Sequence, residues 1–353
     1  LSKRPGPMET VAPAWPRLLR RHWQRLLLVY GLAVGVLAGP AYTMYVHYDF
    51  SHSLDTRSYL SVARGEFRGV SVTRRYRVLV PAAAAAMAWP LEKVYARVWP
   101  QRAASEWPLR LAFYVVNTLV MGAAGLLWYR SSRCYGATRE AAALATALVL
   151  SSRWAVYIAG LPMVDSLYLL VFALGYYAAV SRSRMALVAC ILLGPLAKES
   201  FVFLVPWLLA FARGAGRWPV QVAWLAVAGA LTFGIRHWID AQAGTPASAS
   251  VNNALNHFEN VVYSLQRLFS VKGAGELFSV FGFATLALLL VPVRSWARPL
   301  GWKGAALGAV VGAHMLLSGE LARMAYLAAP AFTVALALVI TKVQSSLPSR
   351  LLS

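Results

Sequence analysis

The sequence predicts an all-α, polytopic membrane protein, and three observations carry that prediction. Of 353 residues, 59% are hydrophobic and 13% charged, where soluble domains carry about a quarter charged residues; the mean hydropathy is +0.56. Apolar runs recur along the whole chain, at 26–46, 109–128, 141–159, 166–180, 185–196, 201–212, 220–235, 277–293, 305–317 and 324–340. Lys and Arg collect in the short connectors between those runs. A bilayer core of roughly 30 Å needs about 20 helical residues, and several runs are shorter, so the expected count is about ten spans, give or take one or two.

The connectors give the net charge of +21 its meaning. Basic residues spread over short loops follow the positive-inside pattern and attract anionic headgroups. No soluble basic domain exists to bind nucleic acid, so that partner is excluded. Cys134 lies in a basic connector and Cys190 in an apolar run, which argues against a disulfide between them. The histidines show no zinc spacing; His47 and His52 are a weak pair at best.

Taken in order, the chain opens on a basic cytoplasmic segment, 1–25. LSKRPGP before Met8 reads as an appended segment, with Met8 as the natural start. The first apolar run is long and no small-residue cleavage site clearly follows it, so it is expected to remain as a span. Arginine-rich connectors around Arg130, Arg182, Arg213, Arg294 and Arg350 go to the cytoplasmic side, which places both termini there. The outer side then holds a loop at 47–108, the stretch 153–165, Lys198 and Glu199, a long connector at 236–276, and Glu320 to Arg323. Segment 78–104 is interrupted by Pro90, Glu92, Lys93 and Arg97 and is expected to rest on the outer membrane surface. Two full crossings there are the alternative, and they would move Arg130 and Arg133 outside. A single transmembrane domain, 26–342, and a cytoplasmic tail, 343–353, complete the layout.

One stretch stands out from this oily background: DFSHSLDTRSYLSVARGEFRGVSVTRRYRVLVP, Asp49 to Pro81, which is dense in acids and arginines. It contains DTRSYLSVAR, with Asp55, Tyr59, Ala63 and Arg64, and then RRYRVLVP. Further on come PLRLAFYVVNTLVMGAAGLLWYR, SSRCYGATRE, GLPMVDSLYLLVFALGYYA with Asp165, and GPLAKESFVFLVP. The ordered set resembles the GT-C superfamily of membrane glycosyltransferases, in the branch of protein mannosyltransferase-like and aminoarabinose-transferase-like enzymes. The likeness covers most of the first 210 residues; beyond them only GELARMAYLAAP carries it.

The resemblance implies a GT-C-like fold in a cytoplasmic (inner) membrane and an inverting transfer of sugar from a polyprenyl-phosphate donor on the outer face. The acceptor would be a glycan, lipid or protein, and membrane lipids would be neighbours. Such chemistry needs a carboxylate to take the acceptor's proton and fixed cations for the phosphate. Asp55 is the expected base and Asp49 the runner-up; Arg74, Arg75, Arg77, Lys198 and Arg323 are the expected phosphate ligands. Tyr59, Arg64, Arg153, Asp165, Glu199 and Glu320 are expected to support them. No cofactor is required by the sequence. A divalent metal is an open expectation, because DT stands where relatives often have two consecutive acids, and Asp49 or Asp165 would have to complete the site.

Each residue also has a plainer reading. Asp55 suits a helix N-cap. The arginines at 74–77 suit headgroup contact, and Asp165 suits an ion pair with Arg153, a reading slightly preferred for that residue. Lys198 suits a mutual pair with Glu199 or snorkelling. Glu320 and Arg323, three apart, suit a pair on one helical face. Two other functions compete with glycosyl transfer: a transporter or flippase for a lipid-linked or anionic solute, and an inactive GT-C-like subunit of a polysaccharide assembly complex. Transporters place their charges near the midplane in broken helices with repeat symmetry, whereas here the charges cluster at one end of the runs.

Overall fold

The computed structural model describes residues 15–49, 53–244 and 251–346. Expectations placed on 1–14, His52, 245–250 and the end of the tail with Arg350 lie outside the described residues. Among the described residues every regular element is helical. Five helices are long and apolar enough to cross a membrane: Trp23–His47, Trp107–Cys134, Trp218–Ala243, Arg294–Ser318 and Leu321–Ser346. The number rises to seven if each of two sharply bent helix pairs is one span, and three shorter apolar helices accompany them. By length and composition this is a helical membrane protein.

Helix α1 (Trp15–His47) shows how these helices are built. Ala33, Leu37, Ala41 and Tyr45 are buried at a spacing of four, one stripe of an α-helix, while Leu27, Leu28 and Leu32 are exposed. In lipid an exposed leucine costs nothing, so the buried stripe favours close approach over hydrophobicity. The segment after α1 then folds into α2 (Leu54–Ala63), α3 (Val72–Arg75), α4 (Leu79–Val98) and α5 (Pro100–Ala103). Helix α4 is not among the five apolar helices; its Glu92, Lys93 and Arg97 are exposed. It returns along α6 (Trp107–Cys134), the central helix.

The apolar run at 141–159 is not straight. It forms α7 (Arg139–Leu150) and α8 (Arg153–Gly160), bent by 64° at Ser151 and Ser152. Ser152 caps the second piece by accepting from the Ala155 amide, so the sequence itself writes the break. Helix α9 (Asp165–Ser181) is buried nearly all round and is followed by α10 (Arg184–Ala197), a 3₁₀ turn at Glu199–Phe203 and α11 (Val205–Phe211). Then come α12 (Trp218–Ala243), α13 (Val251–Leu268), α14 (Val271–Phe281) and α15 (Phe283–Ala287). The run at 277–293 is also broken: helices Val271–Phe281 and Phe283–Leu290 meet at 81°, and the corner residue Gly282 has φ 54°, a left-handed value suited to glycine. Helices α16 (Arg294–Ser318), α17 (Leu321–Ala325) and α18 (Ala329–Ser346) close the chain.

A polar pin inside α6 fixes the region that matters below. The Asn117 amide donates to the carbonyls of Leu161 and Met163, at 2.9 and 3.0 Å, and Ser166 Oγ donates to its oxygen at 2.5 Å. All these groups are buried and satisfied, so the turn between α8 and α9 is held against α6 and with it Asp165.

Close helix contact makes one testable demand. A Cβ on Gly160 would sit 2.6 Å from the Ala41 carbonyl oxygen and 2.7 Å from Met44 Cβ, whereas one on Gly35 would meet nothing within 4 Å. Gly160→Ala should therefore lower stability by about 1–3 kcal/mol, as over-packing does. Gly35→Ala should not. Thermal unfolding in detergent micelles measures both; equal midpoints for the two variants would remove the close α1–α8 contact from the fold.

Candidate functional site

A cavity of about 500 Å³ gathers side chains from four distant parts of the sequence. Asp55 comes from α2, Arg74 and Arg77 from α3 and the turn after it. Lys198, Glu199 and Ser200 come from the break after α10, and Glu320 and Arg323 from the junction of α16 and α17. Each stands at a helix end or in a connector, so backbone geometry and not mid-helix packing brings them together.

Asp55 is clamped. Arg74 Nε donates to one of its oxygens at 2.5 Å and Arg323 Nη1 to the other at 2.8 Å. The N-cap of α2 is Ser53, whose hydroxyl accepts from the Thr56 amide, so Asp55 is released from the capping role its position suggested. Burial works to raise the Asp55 carboxyl pKa, but Arg323 and Arg74 outweigh it and hold it at about 2. Arg323 also pairs with Glu320, as their spacing of three predicts. Arg77, nearly buried, donates to Glu199 at 2.5 Å and to the Tyr59 hydroxyl at 3.0 Å. Tyr59 is itself buried.

Lys198 is held differently. Its ammonium is buried, lines the cavity, and faces the Asp165 carboxylate at 3.7 Å and the Met324 sulfur at 3.5 Å. Burial lowers its pKa to about 8, with Asp165 acting against that shift. The arginines around it meet carboxylate oxygens at 2.5–2.8 Å. Lys198 thus stands farther from its carboxylate than those arginines do and has hydrogen-bonding capacity to spare.

Several expectations need correction. Asp165 pairs with Lys198 and not with Arg153: the eight-residue helix α8, about 12 Å long, separates them, and Arg153 is exposed at its start. Lys198 and Glu199 do not pair with each other but turn to opposite partners, Asp165 and Arg77. Arg75 does not line the cavity; it is buried against Asp240 of α12 at 2.7 Å, where Tyr76 also donates to Asp240. Arg64 pairs at 3.3 Å with Glu106, both well exposed, away from the cavity. Asp49 is exposed just beyond α1, within electrostatic reach of Arg110, and does not line the cavity.

The metal expectation does not fit these residues. Both Asp55 oxygens face arginines, Asp165 faces Lys198 and Asp49 lies elsewhere. Among the described residues no group of three or more His, Cys, Asp or Glu side chains could hold a metal ion. The sequence reading missed Ser200, Tyr168 and His314, which form one wall of the cavity and its backing. A lone histidine in the run GAVVGAHMLLSG was the available signal, since polar residues inside spans are costly. Comparison with protein-family models, curated proteins and solved structures gave no significant match.

The clamp predicts an acid limb of stability. A carboxyl whose pKa is depressed on folding contributes stability above its ordinary value and loses it as pH falls through the folded value. The unfolding midpoint should therefore decline between pH 3.8 and about 2, and Asp55→Asn should shrink that decline. An unchanged acid limb in the variant would mean that the clamp contributes nothing.

Proposed function

We propose that the chain is a GT-C-type glycosyltransferase of about ten spans in a cytoplasmic (inner) membrane. It moves a sugar from a polyprenyl-phosphate donor to a glycan, lipid or protein acceptor on the outer face, with both termini cytoplasmic. One observation carries the reading: a buried ammonium with spare donors lines a cavity together with three arginines and three carboxylates, at the ends of apolar helices. A lipid-linked phosphate is the anion that such a place, at the edge of a membrane, would meet.

In this reading Lys198 and Arg323 take the donor phosphate, with Arg74 and Arg77 adjoining. The acceptor oxygen attacks the anomeric carbon from the side opposite the phosphate. The carbon–oxygen bond to the phosphate breaks, and the phosphate leaves with the electron pair. Asp55 receives the hydroxyl proton. Fixed cations stabilise the charge that gathers on the leaving group.

A second reading has its own observation. A carboxylate whose two oxygens are both engaged by arginines is a weak proton acceptor, which favours an inactive GT-C-like subunit that binds the lipid without transferring its sugar. Asp55→Asn separates the two. Under the enzymatic reading the folded variant loses transfer by on the order of a hundredfold or more, and Lys198→Gln weakens binding of farnesyl phosphate. Normal transfer by a folded Asp55→Asn protein would sink the assignment of the base.

The orientation has a direct test in the protein's own thiols. Cys134 is exposed and Cys190 buried. In intact cells a membrane-impermeant thiol reagent should spare Cys134 until the cells are permeabilised. A Glu66→Cys substitution in a Cys134→Ser background should label from outside at once. The opposite pattern would invert the topology and put the cavity on the cytoplasmic face.

A further inference from the structure

The cavity lining combines two kinds of chemistry. Beside the charged groups it includes Ser200, Phe203, His314 and Leu317, with Tyr168 bonded behind them to Ser200 and His314. His314 is 2% exposed and enclosed by the rings of Tyr168, Phe172 and Phe203.

The hydrogen bonds of this wall run in one direction. The Val310 carbonyl can only accept, so His314 Nδ1 carries a proton and donates to it at 2.8 Å. In the neutral ring Nε2 is then an acceptor, and the Tyr168 hydroxyl donates to it at 2.6 Å. With its own proton used, the Tyr168 oxygen accepts from Ser200 Oγ at 3.2 Å. The Ser200 proton is committed in turn, and what Ser200 offers the cavity is a lone pair. Such a wall selects a ligand that brings a donor of its own, and a hydroxyl is an uncharged group that does so. The charged groups are close by: Lys198 Nζ lies 5.7 Å from the centre of the Tyr168 ring, and Lys198 and Ser200 line the same cavity.

We infer that Ser200, oriented by Tyr168 and His314, is the subsite for a hydroxyl on an uncharged ring joined to the anion that Lys198 holds: the sugar of a lipid-phosphate donor. The inference rests on the reading of the cavity as a phosphate-lipid site. Ser200 is the binding group, and Tyr168 and His314 are positioning residues.

Binding to the full chain in detergent micelles tests it with three probes: farnesyl phosphate and its phosphodiesters with mannose and with glucose. The better-bound diester should exceed farnesyl phosphate by about tenfold, the range of one or two satisfied hydrogen bonds. Ser200→Ala and Tyr168→Phe should cut that advantage to about threefold or less while leaving farnesyl phosphate binding unchanged. A purely structural role for Tyr168 would weaken all three probes alike, and that result overturns the inference. So does a wild-type protein that binds diester and monoester equally, or an advantage that survives in both variants; in these cases the phosphate reading stands. Farnesyl phosphate binding that is absent, or indifferent to Lys198→Gln, would fell the phosphate reading and this inference with it.

Discussion

Charge that is carried to the edge of a membrane must be matched where it stands, and the Asp55–Arg323 pair is where this constraint shapes the molecule. Arg323 belongs to α17, 268 residues along the chain from Asp55. Their contact ties the last part of the helical body to the charged segment after α1. Arg77 to Glu199 and Arg75 to Asp240 repeat the device at other points. Between helices in lipid the hydrophobic effect gives little attraction, so polar links of this kind have structural weight. The apolar patch beside the Arg75–Asp240 link is small: Val62 and Phe67 against Ile239 and Ala243.

The same matching governs what the cavity can accept. Its lining carries Arg74, Arg77, Lys198 and Arg323 against Asp55, Glu199 and Glu320. An anion that entered would meet Lys198 without displacing a close carboxylate, because Asp165 stands back at 3.7 Å. At Arg323 it would compete with Asp55 and Glu320. Under the glycosyltransferase reading that competition matters, since any weakening of the Arg323 contact returns basicity to Asp55. On that reading the clamp and the proposed base are one device, and the Arg323 guanidinium would couple donor binding to proton acceptance.

Much of this arrangement was legible in the chain. Apolar runs marked the helices, and charges between them marked the place where Asp55, Arg74, Arg77, Lys198 and Arg323 meet. The i,i+3 spacing of Glu320 and Arg323 gave their pairing outright. Partner choice was not legible elsewhere, for reasons of geometry. Arg75 and Arg77 are two residues apart, yet the turn after the four-residue helix α3 sends one toward Asp240 and the other toward Glu199. Asp165 missed Arg153 because the run that appeared continuous breaks at Ser152, turning an apparent end-to-end neighbour into a residue one helix away. His314 was hidden by its run: periodicity finds a helix and says nothing of what a lone imidazole in it touches.

Where the polar groups sit along the helices bears on function as much as which groups they are. Lys198 caps α10, Asp165 opens α9, Glu320 lies between α16 and α17, and His314 is in the last turns of α16. Asn117, a polar centre deep within a span, is spent on two carbonyls and a serine and offers nothing to a ligand. A carrier needs its charged groups near the midplane, where the substrate must pause between two openings. Here the interior polar group fixes a turn, and the reactive groups are left at the helix ends, where an amphiphile can present its headgroup while its tail remains in lipid. That division of labour is the one the glycosyltransferase reading needs, with the charged groups at helix ends and the interior amide spent on structure.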